Sequence, residues 1–239
     1  NIVGPGRLGR TVHRRLAERG HHVRLIARGE AIPAAPITWL TVPDRSIAAA
    51  AAQVPPGGAR LHASGAATLD VLGPTEGRGS LHPLMTFPGP ETAPLLDGQH
   101  VPAAVDGDDL GRAAATSLAD ALGFTPFPVP GDRRAYHAAA VIAGNFATTL
   151  LAVATRVLAQ AGVPESEGAA LLAPLALQSL RNAAATSPSR ALTGPVVRGD
   201  EAVIAGHLAC LSPRDRIVYE VLLQASRELV QAGTEHDPQ

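Results

Sequence analysis

The sequence predicts an α/β domain built on a mostly parallel sheet over residues 1–131, followed by an all-α domain over residues 132–239. Three observations predict it. Short apolar or β-branched runs alternate with helix-forming stretches through the first part, the pattern of strands whose crossovers lay helices on both sheet faces. A glycine-rich turn, Gly4 to Gly9, sits where the first strand would pass into the first helix. At Gly131-Asp132 the alternation stops, and only helical periodicity follows.

Asn1-Ile2-Val3 reads as the end of a buried strand, so the protein is expected to extend before Asn1. Arg10 to Arg19 is helical and stopped by Gly20; His22 to Ala27 is the second strand. A short Pro/Ala linker, brief for a crossover, leads to a third strand, Ile37 to Val42, ending at Pro43-Asp44. Ser46 to Gln53 is an Ala-rich helix closed by Pro55-Pro56-Gly57-Gly58, and Ala59 to Ala63 is the next strand. Residues 73–98 read as a long loop, followed by a strand at His100–Val105, a helix at Asp109–Leu122 and a strand at Phe124–Val129. The second domain holds helices at Tyr136–Ala161, Glu165–Thr186, Glu201–Ala209 and Pro213–Ala232, with a frayed tail after Gly233.

The composition narrows the function. With 46% hydrophobic and 17% charged residues and a net charge of −1, the chain is globular and has no global field to draw nucleic acid or lipid. Aromatic residues are 3%, too few for a row of base-stacking platforms. No run of about 18 apolar residues passes without polar interruption, and no signal-peptide pattern opens the chain, so a cytoplasmic protein off the membrane is expected. Cys210 is the only cysteine, which excludes a disulfide framework and a thiolate zinc site; no metal is expected. Its run, His207-Leu208-Ala209-Cys210-Leu211, predicts a buried packing role. All 20 basic residues are arginine, so Schiff-base chemistry, a phosphate-loop lysine and a lysine acid are excluded.

Gly4-Pro5-Gly6-Arg7-Leu8-Gly9 has the G-x-G-x-x-G spacing, follows a strand and opens a helix, which predicts a Rossmann-type dinucleotide site. Gly4 would permit the tight turn, Gly6 would let the diphosphate approach, and Gly9 would let helix and strand pack closely. The helix N-terminus would offer N–H groups to the anion. Arg28, 19 residues beyond Gly9, stands where an NAD-selective site has a carboxylate; a guanidinium there suits a 2′-phosphate, with Arg7 assisting, so NADP is the expected cofactor. Val42-Pro43-Asp44 ends the third strand at the sheet edge where ligands bind, Asp44 capping the following helix and the backbone approaching the cofactor.

Leu61-His62-Ala63-Ser64-Gly65 ends the next strand at the same edge; Ser64 either reaches nicotinamide or substrate, or is a turn serine. In the loop, His82-Pro83 stands among apolar residues, and His82 is either a proton donor near neutral pH or structural. At about 100° per residue, His137, Gly144, Asn145, Thr148 and Thr155 share roughly a third of the long helix's circumference. On a mostly apolar helix that stripe faces a substrate pocket, or neighbouring backbone and water. Between the later helices, Arg198 either clamps a substrate carboxylate or pairs with Asp200, which itself can cap the helix from Glu201.

Taken in order, GPGRLG, LTVPD, LHASG, GSLHPLMTF, YHAAAVIAGN and ALTGPVVRGD cover nearly the whole chain. With them the chain resembles the Rossmann-like proteins carrying a C-terminal DUF2520 domain, and is distantly similar to ketopantoate reductases, pyrroline-5-carboxylate reductases and β-hydroxyacid dehydrogenases. The resemblance implies an NADP-linked oxidoreductase fold, dimeric through the helical domain. In the better-known relatives a lysine near the start of the long helix donates a proton and a later asparagine binds substrate; here His137 and Asn145 hold those places. The function expected is hydride transfer between NADPH and a small keto or hydroxy acid or related carbonyl compound. His82 or His137 would give the proton, with activity falling above about pH 7–8 as histidine loses its charge. A sensor that binds NADP(H) without turnover, or a deazaflavin-linked NADP reductase, would accept the same glycine turn.

Overall fold

The computed structural model describes residues 1–89 and 98–236. Residues 90–97 of the expected loop and 237–239 of the expected frayed tail lie outside the described residues. The chain divides into two compact units, Asn1–Gly144 and Asn145–Gln239. The sheet unit therefore runs past the change of pattern at Gly131-Asp132.

The first unit holds strands β1 (Ile2–Val3), β2 (Leu25–Ile26), β3 (Ile37–Leu40), β4 (Ala59–His62), β5 (Arg78–Pro83), β6 (Pro102–Gly107) and β7 (Thr125–Pro128). They form one sheet in the order β2-β1-β3-β4-β5-β6-β7. Every pair is parallel except β5–β6. β1 has β2 on one side and β3 on the other, so the winding reverses between β1 and β3, the position where Rossmann-type sheets bind ligands. The fold is the expected Rossmann-type sheet followed by helices.

Alternation along the strands splits the core in two. Ile2, Trp39, Leu61 and Leu81 pack with Val12 and Leu16 of α1 (Arg7–Glu18) and Ala115, Leu118 and Leu122 of α3 (Asp109–Leu122). On the opposite face Val3, Ile26 and Leu40 meet Ile47 and Ala51 of α2 (Ile47–Ala51), and Leu72. Trp39 is fully buried, as its place in a central strand requires. α3 keeps its expected bounds because both ends are chemically marked: Asp108 accepts from the Gly111 N–H, and Gly123 takes the left-handed conformation.

β5 corrects the expected loop. Gly79, Leu81 and Pro83 point to the apolar core, while Arg78, Ser80 and His82 share the other face. There His62 and Asp106 flank Ser80 in register on β4 and β6. A strand with a polar buried face does not display the usual alternation of apolar-in and polar-out. Several expected bounds also shift. β2 shortens from His22–Ala27 to Leu25–Ile26, α2 from Ser46–Gln53 to Ile47–Ala51, and β6 moves from His100–Val105 to Pro102–Gly107. β3 ends at Leu40 rather than Val42, and α1 begins at Arg7 rather than Arg10, taking Gly9 into its first turns.

The helix expected from Tyr136 begins earlier. α4 (Arg133–Val141) passes through a π-helical turn, Ile142–Phe146, into α5 (Ala147–Ala159). Because a π-turn departs from 3.6 residues per turn, the even count that gave one polar stripe is interrupted there. Within the helical stretch Arg133–Ala159 an 18-residue window reaches a mean hydropathy of 1.7, long and apolar enough to cross a membrane, although polar residues interrupt it as expected. Its few polar side chains are uncharged over most of its length, which a count of uninterrupted apolar residues does not register.

In the second unit α5 packs on α6 (Glu165–Ala185), where Thr155 is buried against Gly168; a Cβ on that glycine would lie 2.7 Å from Thr155 Cγ2. Two short helices, α7 (Pro188–Ala191) and α8 (Pro195–Arg198), each open on a proline at the first helical position. α9 (Glu201–Cys210) and α10 (Pro213–His236) complete the unit. Arg156 on α5 reaches Asp215 on α10 at 2.6 Å, and Ser212 donates to the same carboxylate. Cys210 is exposed rather than buried, because α9 is apolar on more than one side and not all of it turns inward.

Candidate functional site

The glycine turn is shaped by contact. Gly4 has φ +108°, and a Cβ there would lie 2.9 Å from Val42 Cγ1 and 3.0 Å from the Thr41 carbonyl. A Cβ on Gly9 would run into the Gly4 carbonyl oxygen and lie 2.6 Å from Thr41 Oγ1. That hydroxyl is itself engaged with the Val3 and Gly4 carbonyls. Gly6 differs: a Cβ there meets nothing within 4 Å. Packing accounts for Gly4 and Gly9 but not for Gly6. As the N-cap of α1, Gly6 has no side chain to occupy the helix mouth, and the N–H groups of the first turn, at Arg7, Leu8 and Gly9, lie beside it. Leu8 packs against the core while Arg7 is exposed.

These glycines form one wall of a cleft of about 800 Å³. Arg28 and Glu30 beyond β2 line it, with Val42, Pro43, Arg45 and Ser46 beyond β3. Glu30 is tied to the end of β2, its carboxylate accepting from the Ala27 N–H at 2.8 Å. The cleft therefore joins a turn suited to a diphosphate with two arginines, Arg28 and Arg45, both exposed. Arg45 is a residue that the sequence reading missed; its signal was its place directly after the strand-ending Val42-Pro43-Asp44.

Asp44 does not cap a helix. Pro43 is the N-cap of the 3-10 turn Asp44–Ser46, and the Asp44 carboxylate instead accepts from Ser64 Oγ at 2.8 Å. Ser64 Oγ also accepts from the Ala66 and Ala67 N–H groups, so the hydroxyl holds the turn after β4 as well as facing Asp44.

Beside Ser64 the carboxyl ends of β4 and β5 carry a polar cluster. His82 Nδ1 lies 2.7 Å from the Tyr136 hydroxyl, and the His82 and His137 rings meet edge to face at 5.9 Å. Gly65 makes room for both rings: a Cβ there would lie 2.6 Å from His137 Cδ2 and 3.0 Å from His82 Nε2. His62 is fully buried, and its Nδ1 accepts from the Ser64 N–H at 3.2 Å. Arg133, the first residue of α4, is buried and donates from Nη2 to the Ser64 carbonyl at 3.0 Å. Its Nη1 lies 3.9 Å from Asp106, too far for a hydrogen bond, and its Nε has no partner. Asp132 caps α4 by accepting from the Arg134 N–H, which fixes the turn that delivers Arg133, Tyr136 and His137.

The electrostatics follow from this burial. Burial, with the His137 and Arg133 charges, holds His82 down to about 4; Asp44 opposes this only in part. Burial and Arg133 likewise hold His62 down to about 4, against Asp44 and Asp106. Burial raises the Tyr136 phenol above its ordinary value, with Arg133 opposing. His82 is thus neutral at pH 7. A histidine held down to about 4 has no charge to lose above pH 7–8, so the expected pH dependence does not attach to His82. Tyr136, Arg133 and His62 were not singled out from sequence, although Tyr136 adjoins His137 and His62 lies in the same run as Ser64.

The remaining sequence-predicted residues lie in the second unit. Asn145, in the π-turn, and Thr148, on α5, are exposed. Arg198 pairs with Asp200 at 2.7 Å, the second of its two expected roles; Asp200 stands at the N-cap of α9 but makes no side-chain cap.

Residues 101–226 match the family described as domain of unknown function DUF2520. Among solved structures the chain is similar to protein TM1727 of Thermotoga maritima, at 27% identity and TM-score 0.76 over 98% of both chains. It is also similar to BF3122 of Bacteroides fragilis, which its name places among the NADP oxidoreductases, at 20% identity and TM-score 0.78 over 95% of this chain and 96% of that one. The pyrroline carboxylate reductase of Plasmodium falciparum, solved with NADP bound, shares the fold at 10% identity and TM-score 0.60 over 95% and 98% of the two chains. No curated protein matches the chain. The matched segment takes in more than half of the sequence, and the chain belongs to the DUF2520 family.

Proposed function

We propose that the protein is an NADP-dependent oxidoreductase acting on a small keto or hydroxy acid or a related carbonyl compound. One observation carries this reading: the strand ends from the glycine turn to His82 form a continuous line. The carboxyl ends of β1, β3, β4 and β5 are neighbours in order and point the same way. At about 4.8 Å per strand they span roughly 14 Å, with diphosphate chemistry at one end and proton chemistry at the other. The residues fit the cofactor, since Gly6 is left open beside the first-turn N–H groups while Arg28, Arg45 and Arg7 offer cations to a 2′-phosphate. When bound, the reduced nicotinamide supplies a hydride to the carbonyl carbon. His82 and His137 hold the proton for the oxygen that the hydride leaves negative. Asp44 orients Ser64 beside them.

The helical domain is proposed to form a homodimer, and the protein to be cytoplasmic. Leu171, Leu175, Leu180, Ile217 and Val221 are all more than half exposed, apolar side chains that a second copy would cover. Analytical ultracentrifugation at micromolar concentration is expected to give twice the chain mass; a monomer, or protein recovered only with detergent, refutes this part.

Calorimetry tests the cofactor. NADPH is expected to bind more tightly than NADH, and Arg28→Ala to weaken NADPH at least tenfold, about 1.4 kcal/mol, while leaving NADH nearly unchanged. No heat with either nucleotide would remove the enzyme reading.

A further inference from the structure

The histidine at the reactive end of the site has a partner that nothing in the sequence pattern assigned. We propose that Tyr136 is the positioning residue for His82: its hydroxyl donates to Nδ1, fixes the imidazole as the Nε2–H tautomer, and so presents that N–H over Gly65 to the oxygen or nitrogen of the substrate. The inference deepens the reading above and rests on it for the substrate, but the tautomer is a property of the protein alone.

The geometry supports each step. The hydroxyl and Nδ1 are 2.7 Å apart, a strong hydrogen bond, and the two rings stand edge to face at 89°. Phe127 on β7 meets the Tyr136 ring edge-on at 6.1 Å, which limits where the hydroxyl can swing. Of the two groups the phenol is the better donor and the imidazole nitrogen the better acceptor, so the bond runs from oxygen to nitrogen. The proton of a neutral imidazole must then sit on Nε2. That atom lies 3.0 Å from where a Cβ of residue 65 would be, so the absence of a side chain at Gly65 is what lets the ring seat with Nε2 at the carboxyl end of β4. The charged and titratable groups around it are His137 and Arg133 on α4, His62 on β4 and Asp44 beyond β3, besides Tyr136 itself. Of these only Asp44 would attract a proton to His82, which favours a neutral donor over an imidazolium. Neutral histidine is a known electrophile for polarising a carbonyl.

The test is nitrogen-15 NMR of the full chain labelled at histidine, at pH 7, with the His82 signals assigned by their loss in His82→Gln. Unprotonated Nδ1 and protonated Nε2 are expected in the wild type, and in Tyr136→Phe a mixture of both tautomers. In the active enzyme Tyr136→Phe should lower kcat about tenfold or more with KM changed less than twofold. A protonated Nδ1 or a doubly protonated ring in the wild type overturns the proposal. So does an identical tautomer in Tyr136→Phe, or an unchanged kcat. If the wild type turns over no carbonyl substrate with NADPH, the proposed reaction fails, and the wild-type tautomer still decides the role of Tyr136.

Discussion

Gly9→Ala should destabilise the protein by about 3 kcal/mol or more, whereas Gly6→Ala should cost no more than about 1 kcal/mol and remove nucleotide binding. The two glycines belong to one motif, yet a methyl group at each meets different surroundings. At Gly9 it collides with the Gly4 carbonyl and crowds Thr41 Oγ1 at 2.6 Å, both fixed by the β1–β3 pairing, so α1 must move off the sheet. At Gly6 there is nothing to collide with in the protein, and only the loss of a favourable N-cap weighs on folding. Urea denaturation and NADPH calorimetry, performed on both variants, separate the effects. Equal loss of stability in the two would make the turn a folding device only. Retained binding in Gly6→Ala would show that the ligand does not approach the backbone there.

Acid should weaken the fold in a window set by two histidines. His62 and His82 are held down to about 4 in the folded chain and return to about 6.5 when it unfolds. Between those values the unfolded chain binds more protons, so stability is complete above about pH 6.5 and falls as pH drops toward 4. Fully buried His62 accounts for about 2–3 kcal/mol of that loss, and half-buried His82 for less. The urea midpoint measured from pH 7 to 4.5 should fall accordingly. His62→Asn, which keeps an acceptor for the Ser64 N–H, should flatten the fall. A midpoint constant to pH 4.5 would mean that neither ring is held neutral.

Much of the first unit was legible because its local signals agree. The glycine turn, the capped α3 and the apolar strands β3 and β4 each carry a pattern that one face or one terminus dictates. β5 was not, since its Gly79-Leu81-Pro83 face contains two residues that usually mark loops, and its Arg78-Ser80-His82 face looks solvated although it is largely covered. The site divides in the same way. Cofactor residues follow one another along the glycine turn and the ends of β2 and β3. The polar cluster joins residues distant in sequence: His82 and Tyr136 are 54 positions apart, Arg133 and Ser64 69. No spacing rule links such pairs; the crossover through β6, α3 and β7 brings them together. The π-turn has no compositional mark either, since Ile142–Phe146 would be equally at home in an α-helix.

The buried guanidinium at the start of α4 has one more consequence. A lysine or histidine in that place would answer desolvation by releasing its proton, and the local potential would then swing with pH. Arginine cannot do so in any solution where the chain stays folded. Arg133 therefore imposes a permanent bias on the imidazoles beside it, a part of the pocket's acid–base behaviour that persists whatever the state of the neighbouring His137 and Asp44.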